Sequence, residues 1–135
     1  MNTINETTLR ANGASAIAIA KFRQHYPEGV AIIVAPGDAA HVAKMVGASW
    51  LASRLLNAEY RDTFSRVLVK KLDRFDMIRM CALVDRNIGV QTSTAYEANR
   101  ASTRYAAQLA DAFAELQDAL ADCFGELYCA QLAEL

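Results

Sequence analysis

In the last third of the chain, Leu109, Phe113, Leu116, Leu120, Cys123 and Leu127 recur at alternating steps of four and three. That spacing returns side chains to one side of an α-helix and predicts a buried stripe. Just upstream, Thr94-Ala95-Tyr96-Glu97 fits a capping box, in which the threonine hydroxyl and the glutamate carboxylate serve each other's backbone N–H groups. Residues 94–135 contain no proline and one glycine, Gly125. They therefore predict a single C-terminal helix ~60 Å long at about 1.5 Å per residue.

Three further helical stretches precede it. From Thr7 or Thr8 to about Tyr26 the pattern predicts a first helix, with Leu9, Ile17, Ile19 and Ala20 facing inward and Pro27 ending it. Asp38 reads as the N-cap of a second, running to about Ala58 with Val42, Met45, Val46, Trp50, Leu51, Leu55 and Leu56 as its apolar positions. From Glu59 to about Asp85 the spacing continues through Phe64, Val67, Leu68, Leu72, Phe75, Ile78 and Ala82. A bend near Asn57 or Asp73 would divide this long run, Asn87-Ile88-Gly89 would end it, and Val90–Ser93 would form the loop before the capping box. Val30–Ala35, bounded by Pro27-Glu28-Gly29 and Pro36-Gly37-Asp38, is too short for periodicity to separate strand from helix. The only other strand candidate is Met80–Val84, so a short helix or an extended buried segment is the expectation.

Composition agrees with this reading. Of 135 residues, 53% are hydrophobic and 21% charged, so a core is affordable and disorder is not expected. Alanine, the best helix former, is heavily used, while prolines number two and glycines six. The expected fold is all-α or mostly α: a single-domain bundle (residues 1–135) of four to six helices with a long C-terminal helix. No apolar run approaches the length of about 20 residues needed to cross a bilayer, and Met1–Glu6 does not resemble a signal peptide. Three cysteines without a CxxC pair argue against a disulfide framework. The expected setting is a reducing cytoplasm.

Net charge is −1, but it is segregated: residues 1–40 sum to zero, 41–104 to +5 and 105–135 to −6. Oppositely charged helices packed side by side would account for this. So would a charged surface reserved for a partner. The acidic set Asp111, Glu115, Asp118, Asp122 and Glu126 forms one stripe at steps of four, three, four and four, flanked by alanines that let another helix approach. The basic set Arg66, Lys70, Lys71 and Arg74, within the basic stretch 54–86, is the corresponding candidate for phosphate contact. The overall acidity of the chain and the lack of a nucleic-acid-binding module weigh against it.

No chemistry-bearing motif emerges. Pro36-Gly37-Asp38 lacks the glycine spacing of a phosphate loop and sets a carboxylate where phosphate would lie. His25 and His41 have no metal-ligand spacing around them, and Cys81 has no nucleophile elbow. The sequence thus predicts no catalytic residues, cofactor or metal. It predicts a small non-enzymatic interaction protein, an adaptor or inhibitor that occupies a partner's surface, with the acidic stripe meeting a basic protein and homodimerisation through helix packing. The alternative is a nucleic-acid-associated regulator, and an enzyme with an unrecognised site comes third.

Overall fold

The structure, a computed structural model, describes residues 2–91 and 94–135. It is mostly α-helical, with six helices among the described residues and one short pair of strands. Their order is β1 (Thr3–Asn5), α1 (Glu6–Ala11), α2 (Ala16–His25), β2 (Val30–Ile32), α3 (Pro36–Val46), α4 (Ala48–Leu55), α5 (Ala58–Gln91) and α6 (Ala95–Ala133). Contacts gather the chain into two units. One holds residues up to Val67 together with Asp118–Leu135, the other Leu68–Gln117.

In the first unit the expected first helix is two. Asn5 caps α1 by accepting from the Thr8 N–H at 2.8 Å, and Gly13, at φ 87°, turns the chain out of it. Ser15 then starts α2 by accepting from the Ala18 N–H at 3.1 Å. This restart shifts the helical phase, so Ala18, Ile19 and Phe22 are buried while Ile17 is 71% exposed and Ala20 faces water. Residues 30–32 are a strand rather than a helix. Their partner is Thr3–Asn5, antiparallel, with Ile4 opposite Ala31 and both side chains buried. The alternative strand, Met80–Val84, lies inside α5.

The second expected helix also breaks, at Gly47 (φ 116°), a backbone angle that favours glycine. Asp38 is not the N-cap of α3 but sits three residues after it. Pro36 opens the helix, where its missing N–H costs nothing, and the Asp38 carboxylate reaches back to accept from Val34 and Ala35 N–H at 2.9 Å each. These two backbone donors hold its carboxyl below the usual range. Between α4 and α5 the chain breaks at Leu56-Asn57, one of the two positions the spacing allowed, while α5 passes straight through Asp73.

Gln131 spans that break. Its Oε1 accepts from the Asn57 N–H at 2.6 Å, and its Nε2 donates to the Leu55 carbonyl at 2.8 Å. One side chain thus satisfies two backbone groups that the helix ends leave unpaired. Nearby, the Tyr60 hydroxyl donates to the Glu134 carboxylate, which pushes the phenol up to about 12. Gln131→Ala is expected to cost about 1–3 kcal/mol, two hydrogen bonds at about 0.5–1.5 each. Urea unfolding measures it, and a change within about ±0.5 kcal/mol, the ordinary surface range, would mean the bridge contributes nothing.

Phe22, Phe124, Ile4, Leu9, Leu51 and Val42 form the centre of this unit, each essentially without exposure. Phe124 stacks on Tyr128 with ring centres 5.4 Å apart. Gly125 meets the start of α3 so closely that a methyl group there would collide with the Pro36 carbonyl oxygen.

The second unit holds Leu68–Gln91 of α5 and Ala95–Gln117 of α6, running antiparallel. Gly89 lies against Ala101, the Arg86 guanidinium over the Tyr105 ring at 5.2 Å, Phe75 against Phe113 at 6.2 Å, and Arg74 beside Glu115 at 3.3 Å. Two sequence expectations change here. The helix does not end at Asn87-Ile88-Gly89. Gly89 stays helical because its bare Cα lets α6 approach: a Cβ there would fall 2.8 Å from that of Ala101. Val90 and Gln91 are therefore helical too, whereas Thr92 and Ser93 of the expected loop lie outside the described residues. Thr94 does cap α6, accepting from the Glu97 N–H at 3.4 Å.

Candidate partner-binding grooves

Two helices share only one seam, so each keeps surfaces that nothing in Leu68–Gln117 can cover. Ala82, Ala101, Ala112 and Leu116 are the buried apolar residues of this unit, and only Leu116 is large. Val69, Leu72, Met77, Met80, Val84, Ile88, Val90, Tyr96 and Phe113 are exposed. An isolated exposed Leu needs no explanation, but contiguous exposed apolar side chains are a candidate surface for contact. Met77, Met80, Val84 and Ile88, at steps of three and four, form an exposed apolar stripe along α5.

On one side of the seam lies a groove of about 510 Å³. From α5 it takes Met77, Ile78, Cys81, Ala82 and Asp85; from α6, Gln108, Asp111, Ala112 and Glu115. The floor is apolar and the rim is acidic. Met77 is 70% exposed and Cys81 is an exposed free thiol. Glu115 is paired with Arg74, but neither Asp85 nor Asp111 has an ion-pair partner among the described residues. On the other side a second groove, of about 410 Å³, is lined by Phe75, Tyr105, Ala106, Leu109, Ala110 and Phe113. None of these six side chains is charged, and the Arg86 guanidinium lies over the Tyr105 ring beside them.

The acidic residues expected from the sequence are all exposed, but the structure distributes them. Asp111 and Glu115 stand on the acidic groove. Asp118, Asp122 and Glu126 belong to the first unit, where Asp118 pairs with Lys44 at 3.5 Å. Of the basic set, Arg66 pairs with Asp62 at 3.1 Å and Arg74 with Glu115, while Lys70 is exposed and Lys71 half-buried. The pairs Arg74–Glu115 and Lys44–Asp118 join different helices, so part of the charge segregation is helix packing. Sequence reasoning missed Asp85, Met77 and Cys81. They recur at steps of four along α5, but only the antiparallel register against α6 brings them to this groove.

Elsewhere the structure brings together two residues the sequence left apart. The rings of His25 and His41 meet edge to face at 5.5 Å, with Tyr26 6.1 Å from His41. Both histidines are exposed, and no group of three or more metal-ligating side chains occurs among the described residues. Cys129, in the first unit, has its thiol raised, by burial first and by the Asp38 charge second. No helix among the described residues is long and apolar enough to cross a membrane. No family model, curated protein or solved structure matches the chain.

Proposed function

We propose that the protein acts by binding rather than by catalysis, as an adaptor or inhibitor whose acid-rimmed groove on Leu68–Gln117 receives a basic amphipathic helix of a partner protein. The observation that carries this reading is the combination of an apolar floor with Asp85 and Asp111, carboxylates left without ion pairs, on its rim. An amphipathic helix laid in a groove buries its apolar side and sets its lysines and arginines along the edges. Met77 and Ile78 would supply the apolar contact, and methionine adapts its shape to differing partners. The carboxylates would steer the encounter and fix the orientation.

Calorimetric titration with a designed helical peptide, apolar on one face and lysine-rich on the other, tests the reading. Binding is expected for that peptide and not for its glutamate counterpart, and it should weaken as salt rises. The triple variant Asp85→Asn, Asp111→Asn, Glu115→Gln should weaken it about tenfold or more while leaving helicity intact, because exposed charges contribute little to folding. Equal affinity for the two peptides, or a variant that binds like the parent, would contradict it.

A further inference from the structure

The chain has two histidines in all, and the fold brings them into contact. His25 is the last residue of α2 and His41 lies in the second turn of α3, with β2 between them in the chain. Their ring centres are 5.5 Å apart and both side chains are exposed, so this is not a core contact. Nitrogen ligands stand about 2.0–2.1 Å from a divalent ion such as zinc, which sets two imidazoles sharing one tetrahedral ion at about 5–5.5 Å between ring centres. His25 Nδ1 lies 3.2 Å from the Lys21 carbonyl oxygen. A carbonyl only accepts, so the neutral ring carries its proton on Nδ1 there and keeps the Nε2 lone pair free. Donation of the non-ligating N–H to a carbonyl is the usual support of a metal-binding histidine, because it fixes tautomer and ring orientation.

We infer that His25 and His41 form a two-imidazole site for a divalent transition-metal ion of the nickel, copper or zinc class, which ties the end of α2 to α3. Imidazole suits these ions, whereas magnesium and calcium take oxygen ligands. The two ring planes lie at 76°, and rotation about the broad χ2 of an exposed ring turns its nitrogen toward the point the other faces. The His41 ring also meets that of Tyr26 at 6.1 Å, and Tyr26 rests on the fully buried Phe22 at 4.9 Å, so one wall of the site is anchored in the core. Charge favours a cation as well. Asp38, one turn before His41 on α3, is near enough to interact with it electrostatically, and its carboxylate is held ionised by the Val34 and Ala35 N–H groups. No third His, Cys, Asp or Glu joins the pair among the described residues. Water therefore completes the coordination, and the ion is exchangeable rather than a structural one closed by four protein ligands.

Calorimetric titration of the untagged full chain with nickel chloride tests this, using His25→Ala, His41→Ala and the double variant. Both positions are exposed, so circular dichroism should show equal helicity in all four proteins. Each single variant should lose about tenfold or more in affinity, because one imidazole alone forgoes the gain from linking two ligands. Each should also lose most of what the double variant loses, which two independent single-histidine sites would not show. The unmutated chain gives a second reading, since these are its only imidazoles. Paramagnetic nickel below one equivalent should broaden the ring-proton resonances of both histidines together. A parent that binds no nickel would overturn the inference. So would an affinity that survives either substitution, which would place the ion elsewhere, or broadening of one histidine without the other. The site shares no residue with the acid-rimmed groove, so peptide titration of the same variants tests the proposed function separately.

Discussion

Phe124→Ala should destabilise the protein by about 3–5 kcal/mol, the range for removing a fully buried aromatic side chain. Phe124 has 0% exposure and stacks against Tyr128. Its loss removes both the transfer free energy of the ring and the contacts its neighbours make with it, since close-packed surroundings relax only in part. Against a total stability of about 5–15 kcal/mol, this is a fifth or more of the whole. Chemical denaturation followed by circular dichroism measures it. A loss below about 1 kcal/mol would mean that this core is loosely packed and that the ring is not at its centre.

Gly125→Ala should also destabilise, by about 1–3 kcal/mol as an overpacking effect, although the same change in an exposed helix stabilises by about 1 kcal/mol. The sign is the informative part. The methyl group would collide with the Pro36 carbonyl oxygen and stand 3.1 Å from the Ala40 nitrogen. Both are backbone atoms of α3, so neither can swing aside, and one helix must move off the other. Gly125 is therefore retained in the longest helix because α3 crosses there. A neutral or stabilising result from thermal unfolding would show that the two helices do not approach so closely.

What was legible in the sequence follows from this physics. The three-and-four spacing identified the two long helices, and Leu116 and Leu120 are buried as expected. Phe113 was assigned to the same stripe, yet the buried positions are Ala112, Leu116, Leu120, Phe124 and Tyr128, a slightly rotated face. Spacing reports where apolar residues recur, not how many neighbouring helices exist to cover them. Pro27 was visible as a breaker, but the chain's exit at Gly13 depended on Ser15 offering a new cap. The β1–β2 pair was illegible because three residues carry no period and the partner lies 27 positions along the chain. Gln131, bonded to Leu55 and Asn57 across more than seventy residues, leaves no local signal at all. For the candidate site, the α6 carboxylates Asp111 and Glu115 were legible from their spacing. Asp85 was not, because it reaches the same groove only through the antiparallel register of α5 against α6.

The most direct measurement of the central claim, that the acid-rimmed groove receives a basic amphipathic helix, is protection of Cys81 from alkylation. Cys81 lines the groove and is exposed, while Cys129 is half-buried in the first unit and provides an internal reference. With the cationic peptide at ten times its dissociation constant, Cys81 should react about tenfold more slowly, with Cys129 unchanged and the protection lost in high salt. A Cys81 rate that stays the same while the peptide is bound would place the contact elsewhere and contradict the account.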